Sequence, residues 1–165
     1  MKKIMGFLLA MMIMINSVAE VNAYSRPTYN PNNVTVISNL SEAKIKSILP
    51  KNMKELSRVF YEIEHSSKPI NALFLMSIVR IETGNGTSSA YRVKNNVGGV
   101  RGASGYRKFC SKGECLRYMQ DFLYRGYIQK GRKSINSIGQ KYSASSRWAN
   151  MVNSFGLSSY KKALA

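Results

Sequence analysis

The sequence predicts a mostly α-helical domain carrying one small irregular lobe, and three observations lead there. Apolar residues recur at three- and four-residue steps in several separate segments, the period of helices that each bury one face. Residues suited to starting and stopping helices stand at the ends of those segments. One glycine-rich stretch, residues 84–109, has no helical period at all.

Taken in order, Lys2 and Lys3 precede an almost unbroken apolar run from Ile4 to Ile15, and Val21-Asn22-Ala23 offers small residues for cleavage. Residues 1–23 therefore read as a secretory signal peptide. The run falls short of the roughly 20 apolar residues that span a bilayer, so no stable membrane anchor is expected after cleavage. Residues 24–40 hold two prolines and four asparagines and read as an extended leader. The domain proper is expected over residues 41–165, acting as a monomer.

Ser41 is placed to cap a short helix ending near Pro50. Met53, Leu56, Val59, Phe60 and Ile63 then share one face of a second helix. Pro69 suits the first turn of a third, whose buried stripe is Ile70, Leu73, Phe74, Ser77, Ile78 and Ile81. That helix should stop at Thr83-Gly84. Gly98-Gly99 and Gly102 to Gly105 mark turns, with room for a short hairpin lining a groove. Ser111-Lys112-Gly113-Glu114 has the form of a capping box. It opens a helix with Leu116, Met119, Leu123 and Tyr127 inward, running to about Lys130. Ser134 to Tyr142 and Ser145 to Phe155 suggest two more, the last with Trp148, Met151, Val152 and Phe155 inward and a turn or two after Gly156.

Composition narrows the function classes. Lys and Arg number 25 against 8 Asp and Glu, a formal charge of +17, which implies an anionic partner or surface. For an exported chain that surface is the cell envelope rather than nucleic acid, and the bases are scattered without a reading motif. Beyond residue 23 there is one Asp, Asp121, and one His, His65, so neither a metal site nor a histidine-based triad is expected, nor any cofactor. Cys110 and Cys115 lie five positions apart at a helix entry, and an oxidising compartment favours a disulfide between them.

Glu82 closes the apolar third helix and opens Glu82-Thr83-Gly84-Asn85-Gly86-Thr87-Ser88. Asn95-Asn96-Val97-Gly98-Gly99-Val100 follows. This places a lone acid at a cleft rim with amide and backbone donors facing it. Glycosidic cleavage needs a protonated carboxyl group beside the leaving oxygen. Burial and the carbonyls of a helix C-terminus both favour keeping that proton.

These two segments resemble the Glu-Ser-Gly-Trp-Gly-x-Ser and Asn-Asn-Leu-Phe-Gly-Ile pattern of bacterial endo-β-N-acetylglucosaminidases of glycoside hydrolase family 73. The similarity extends through Tyr106-Arg107-Lys108-Phe109, Glu114-Cys115-Leu116, Asp121-Phe122-Leu123, Lys141-Tyr142-Ser143-Ala144 and Trp148-Ala149-Asn150-Met151-Val152. It spans roughly Pro69 to Phe155 in the family's order. The resemblance implies a lysozyme-like fold, peptidoglycan glycan strands as substrate, β-1,4 cleavage, and Glu82 as general acid. It implies that Asn96 shapes the groove and that Tyr142 lies near the reacting sugar. Tyr142 and Trp148 either contact substrate or pack in the core. The periplasm, wall or extracellular space is the expected location.

Two departures stand out. Val97 to Phe109 contains no Asp or Glu, where many relatives carry a second carboxylate, and Ser143 to Arg147 lacks the acid of Tyr-Ala-x-Asp. Glu114 is explained by its capping position. A single acid suffices if the substrate acetamido group acts as internal nucleophile, or if the enzyme is a lytic transglycosylase. A muramidase of the same fold and a non-catalytic glycan-binding envelope factor remain the alternatives.

Overall fold

The computed structural model describes residues 26–165. The predicted signal peptide lies outside the described residues. Among the described residues seven α-helices carry the fold: α1 (Glu42–Ile48), α2 (Ser57–Glu64), α3 (Ala72–Thr83), α4 (Ser89–Lys94), α5 (Lys112–Gly126), α6 (Ile135–Tyr142) and α7 (Trp148–Leu164). A two-stranded antiparallel ribbon, β1 (Arg101–Gly102) with β2 (Gly105–Tyr106), pairs Arg101 with Tyr106. No helix among the described residues is long and apolar enough to cross a membrane.

Helix α3 is the axis of the molecule. Every residue from Ala72 to Val79 is buried, and α3 packs chiefly against α7 and α2. A helix apolar all round must lie inside a core. Its start is set by Asn71 rather than by Pro69: the Asn71 side chain accepts from the Phe74 amide at 3.1 Å, so the helix begins three residues after the proline. It ends where predicted, with Gly84 left-handed at φ 56°.

The leader is no loose approach to the domain. Val34 and Leu40 are core residues, the Val34 carbonyl accepts from the Asn71 amide, and Asn71 Nδ2 donates to the Val36 carbonyl. Asn71 thus anchors leader and helix together.

Other differences have equally local causes. The second predicted helix is divided into a 3₁₀ turn (Lys51–Leu56) and α2. Helix α4 is new: Ser88 caps it by accepting from the Tyr91 amide at 3.2 Å, and Tyr91 donates its hydroxyl to the Asn52 carbonyl at 2.7 Å. Helix α5 stops at Gly126, and a 3₁₀ turn (Ile128–Lys130) finishes the predicted span. Helix α7 runs straight through Gly156, where a Cβ would fall 2.2 Å from the Tyr29 hydroxyl. Met151 faces solvent there, not the core.

Candidate active site

The last turn of α3 delivers Glu82 into a groove of about 390 Å³. Gly98, Gly99, Val100 and Arg101 form one wall, Tyr118, Met119 and Phe122 of α5 the other, and Tyr142 closes it from the end of α6. Glu82 is the one acid lining it. Its carboxyl is held above the ordinary carboxylate pKa by burial, opposed by the indole of Trp148. The Trp148 N–H is buried and meets no acceptor at hydrogen-bonding geometry. A carboxyl group in this setting keeps its proton to higher pH than one in water, as a general acid must.

The asparagine pair builds the facing wall. Asn96 is buried; its Nδ2 donates to the carbonyls of Val100 and Arg107, both at 2.8 Å, and its Oδ1 accepts from the Val100 amide at 2.9 Å. Asn95 caps α4 in a left-handed conformation and donates to the carbonyls of Phe109 and Cys110. Asn96 thus folds the lobe back on itself: its polar side-chain atoms are spent on backbone, and it does not line the groove.

Two adjacent glycines then bring that wall against the acid. A Cβ at Gly98 would lie 2.3 Å from Met119 Sδ, and one at Gly99 would lie 2.8 Å from Glu82 Oε2. Gly99 also has φ +64°, which only glycine adopts cheaply. Sequence reading treats the pair as turn markers, while the structure makes them the close approach that leaves Glu82 room.

Tyr142 lines the groove as expected, its phenol pushed up in pKa by burial and then by the Glu82 charge. It remains a neutral hydroxyl beside the acid. Its ring packs 4.7 Å from Trp148 and lies edge-on to Phe122. Trp148 departs from the substrate-binding expectation. It is buried at the start of α7, against Gly139, where a Cβ would fall 3.0 Å from the indole, so it supports Tyr142 and Glu82 from beneath.

The predicted disulfide is absent: Cys110 and Cys115 are free thiols, the first exposed and the second buried. Cys115 turns into the core, where its Sγ accepts from the Val97 amide at 3.3 Å, and that contact turns it away from Cys110. Glu114 has the structural role expected, its own amide bonded to Ser111 and its carboxylate accepting from the Cys110 amide at 2.7 Å. Among the described residues no three His, Cys, Asp or Glu cluster as metal ligands.

Sequence reading missed Tyr118 and Phe122. Both are exposed, one turn apart on the face of α5 away from the core stripe, and that spacing is the signal: two aromatics at i and i+4 on a solvent face. It also missed the buried Glu64, which lies far from the groove.

No protein-family model matches the sequence, nor does any curated protein. Solved structures do match. A catalytic mutant of S. aureus autolysin E in complex with the disaccharide NAG-NAM is 18% identical with a TM-score of 0.69, the match covering 82% of this chain and 74% of that one. The same autolysin in complex with the muropeptide NAM-L-Ala-D-iGlu is 18% identical with a TM-score of 0.69, over 84% and 75% of the two chains. Autolysin E without ligand gives 20% identity and 0.68, over 82% and 74%. The chain has the autolysin E fold. The expectation of a mostly α domain with a small β lobe beside a cleft is thereby met.

Proposed function

We propose that this protein is a peptidoglycan hydrolase that cuts β-1,4 bonds of the glycan strand as an endo-β-N-acetylglucosaminidase. The observation that carries the reading is Glu82: a half-buried carboxyl with a raised pKa, the lone acid in an aromatic-walled groove. Support comes from the fold it shares with an autolysin whose complexes hold NAG-NAM and a muropeptide. The amino-terminal segment and the +17 charge fit an exported protein held on an anionic wall, an attraction that salt would weaken.

Glu82 donates its proton to the glycosidic oxygen as the bond to C1 breaks. With no second carboxylate in the groove, the acetamido oxygen of the same sugar attacks C1 and forms a cyclic oxazolinium. Glu82, now a carboxylate, takes a proton from the water that opens the ring. Tyr142 and the exposed rings of Tyr118 and Phe122 offer faces on which sugar rings can lie.

Mass spectrometry of reduced muropeptides released from purified sacculi tests the reading. Reducing N-acetylglucosamine ends are expected. Anhydro ends would assign the lone acid to lytic transglycosylation, N-acetylmuramic ends to a muramidase, and no release at all would leave a glycan-binding factor.

A further inference from the structure

The groove holds a cation as well as an acid, and the two do not neutralise one another. Arg101 lines the wall opposite α5. Its guanidinium lies 4.0 Å above the Tyr106 ring and donates to the Tyr106 hydroxyl at 3.3 Å, so it is held in place by a neutral partner. The ion pairs among the described residues join Arg58 and Arg117 to Glu62, Lys68 and Arg125 to Asp121, and Lys112 to Glu55. None uses Arg101. The remaining acids are occupied too: Glu64 by Ser38 and Ala72, Glu42 by Ser57, and Glu114 by the Cys110 amide. No ion pair joins Arg101 to Glu82.

A guanidinium steadied over a ring, with no carboxylate partner and N–H donors to spare, is suited to meet an anion more strongly than a neutral hydroxyl. From this we infer that Arg101 is a specificity-determining residue that binds a carboxylate carried by the sugar or its substituent. The groove thereby selects acidic amino-sugar strands over neutral ones of the same backbone. The inference rests on the glycan-cleaving reading above and names the part of the substrate that this residue recognises. Neighbouring cations on the lobe add to the field: Arg107 lies 5.0 Å from the Tyr118 ring, and Lys94 donates to the Tyr106 carbonyl. Only Arg101 among them reaches the groove lining.

The test measures binding to the Glu82→Gln protein, which holds ligand without turnover. Three probes are compared by calorimetry: the disaccharide NAG-NAM with a free lactyl carboxylate, the muropeptide NAM-L-Ala-D-iGlu with its carboxylates on the peptide, and neutral chitobiose. The acidic probe that fits Arg101 should bind about tenfold tighter than chitobiose at low salt, the scale of a charge-assisted hydrogen bond at a half-open site. Which of the two acidic probes gains assigns the carboxylate to lactyl group or stem peptide. Adding Arg101→Met should bring the ratio to about one, and Arg101→Lys should restore part of it, because an ammonium keeps the charge but not the fork. Equal binding of all three probes, or a preference that survives Arg101→Met, overturns the inference while leaving glycan cleavage standing. Binding of none, with intact sacculi, overturns both.

Discussion

A glutamate stands at each end of α3, Glu64 of α2 at one and Glu82 of α3 itself at the other, and they have opposite fates. At the amino end Glu64 is 1% exposed. It accepts from the Ser38 amide at 2.6 Å, the Ser38 hydroxyl at 2.7 Å and the Ala72 amide at 2.9 Å. The Ala72 N–H is one of the helix's unpaired first-turn donors, so this carboxylate closes α3 and ties the leader to it. At the carboxyl end Glu82 faces the groove, with the Trp148 indole as the group that opposes the rise of its pKa. Burial raises both pKa values. Burial alone therefore does not separate an acid that builds from one that reacts. Donor count does: the structural carboxylate is saturated, the reactive one is left open to a substrate.

The largest expected effect follows from removing the open one. Glu82→Gln should lower release of soluble muropeptides by about 10²–10⁴-fold, the usual contribution of general acid catalysis, with an unchanged melting temperature. Residual activity within tenfold of wild type would remove Glu82 from the role.

Glu64→Gln should do the reverse. Loss of charge-assisted bonds in a buried site costs about 1–3 kcal/mol, measured by urea unfolding, while sacculus digestion by the folded fraction stays near wild type. The pH dependence has a definite sign. Both carboxyls hold a proton more tightly in the folded chain than in the unfolded one, so over the range between the ordinary and the raised pKa the folded state binds more protons. Stability then falls as pH rises through that range, and Glu64→Gln should flatten the fall. Activity, which needs Glu82 protonated, should decline as pH rises through its raised value.

Gly99→Ala probes the space in front of Glu82 without touching it. A left-handed conformation costs a residue with a Cβ about 1–2 kcal/mol, and the new methyl would sit against Oε2. Activity should fall more than stability does, read by comparing digestion rate with the melt. Glu114→Gln should have the smallest effect, a cap loss of about 1 kcal/mol with activity within a few-fold. A folded Glu114→Gln protein that is nearly inactive would overturn the single-acid mechanism.

Sequence reading reached α3, its Gly84 stop, the Ser41 cap of α1 and the Ser111 cap of α5, because each is written in residues adjacent along the chain. It lost α4, a six-residue helix with Tyr91 as its one buried position, too short for any period. It ended α7 near Gly156 because nothing in the local sequence says that Tyr29 fills the space beside that glycine. For Trp148 the sequence leaves substrate contact and core packing both open, and its packing against Gly139 speaks for the second. The cysteine pair failed for the same reason: spacing permits a bridge, but the Val97 amide decides which way Cys115 turns. The groove's second wall, Tyr118 and Phe122, was hidden because an aromatic on a solvent face has meaning only once something is seen opposite it.

The contact between Tyr29 and α7 also has a consequence in time. Tyr29 packs on Tyr160 and donates to Asn153 across 124 positions of sequence. Val34 and Ser38 of the same segment can meet Asn71 and Glu64 early, but Tyr29 itself has no seat until α7 has been made. A chain made amino end first can form α2 and α3 early, but Tyr29 must wait for α7. A contact of such long sequence separation is among the slow ones to form, so the space beside Gly156 is filled late in folding.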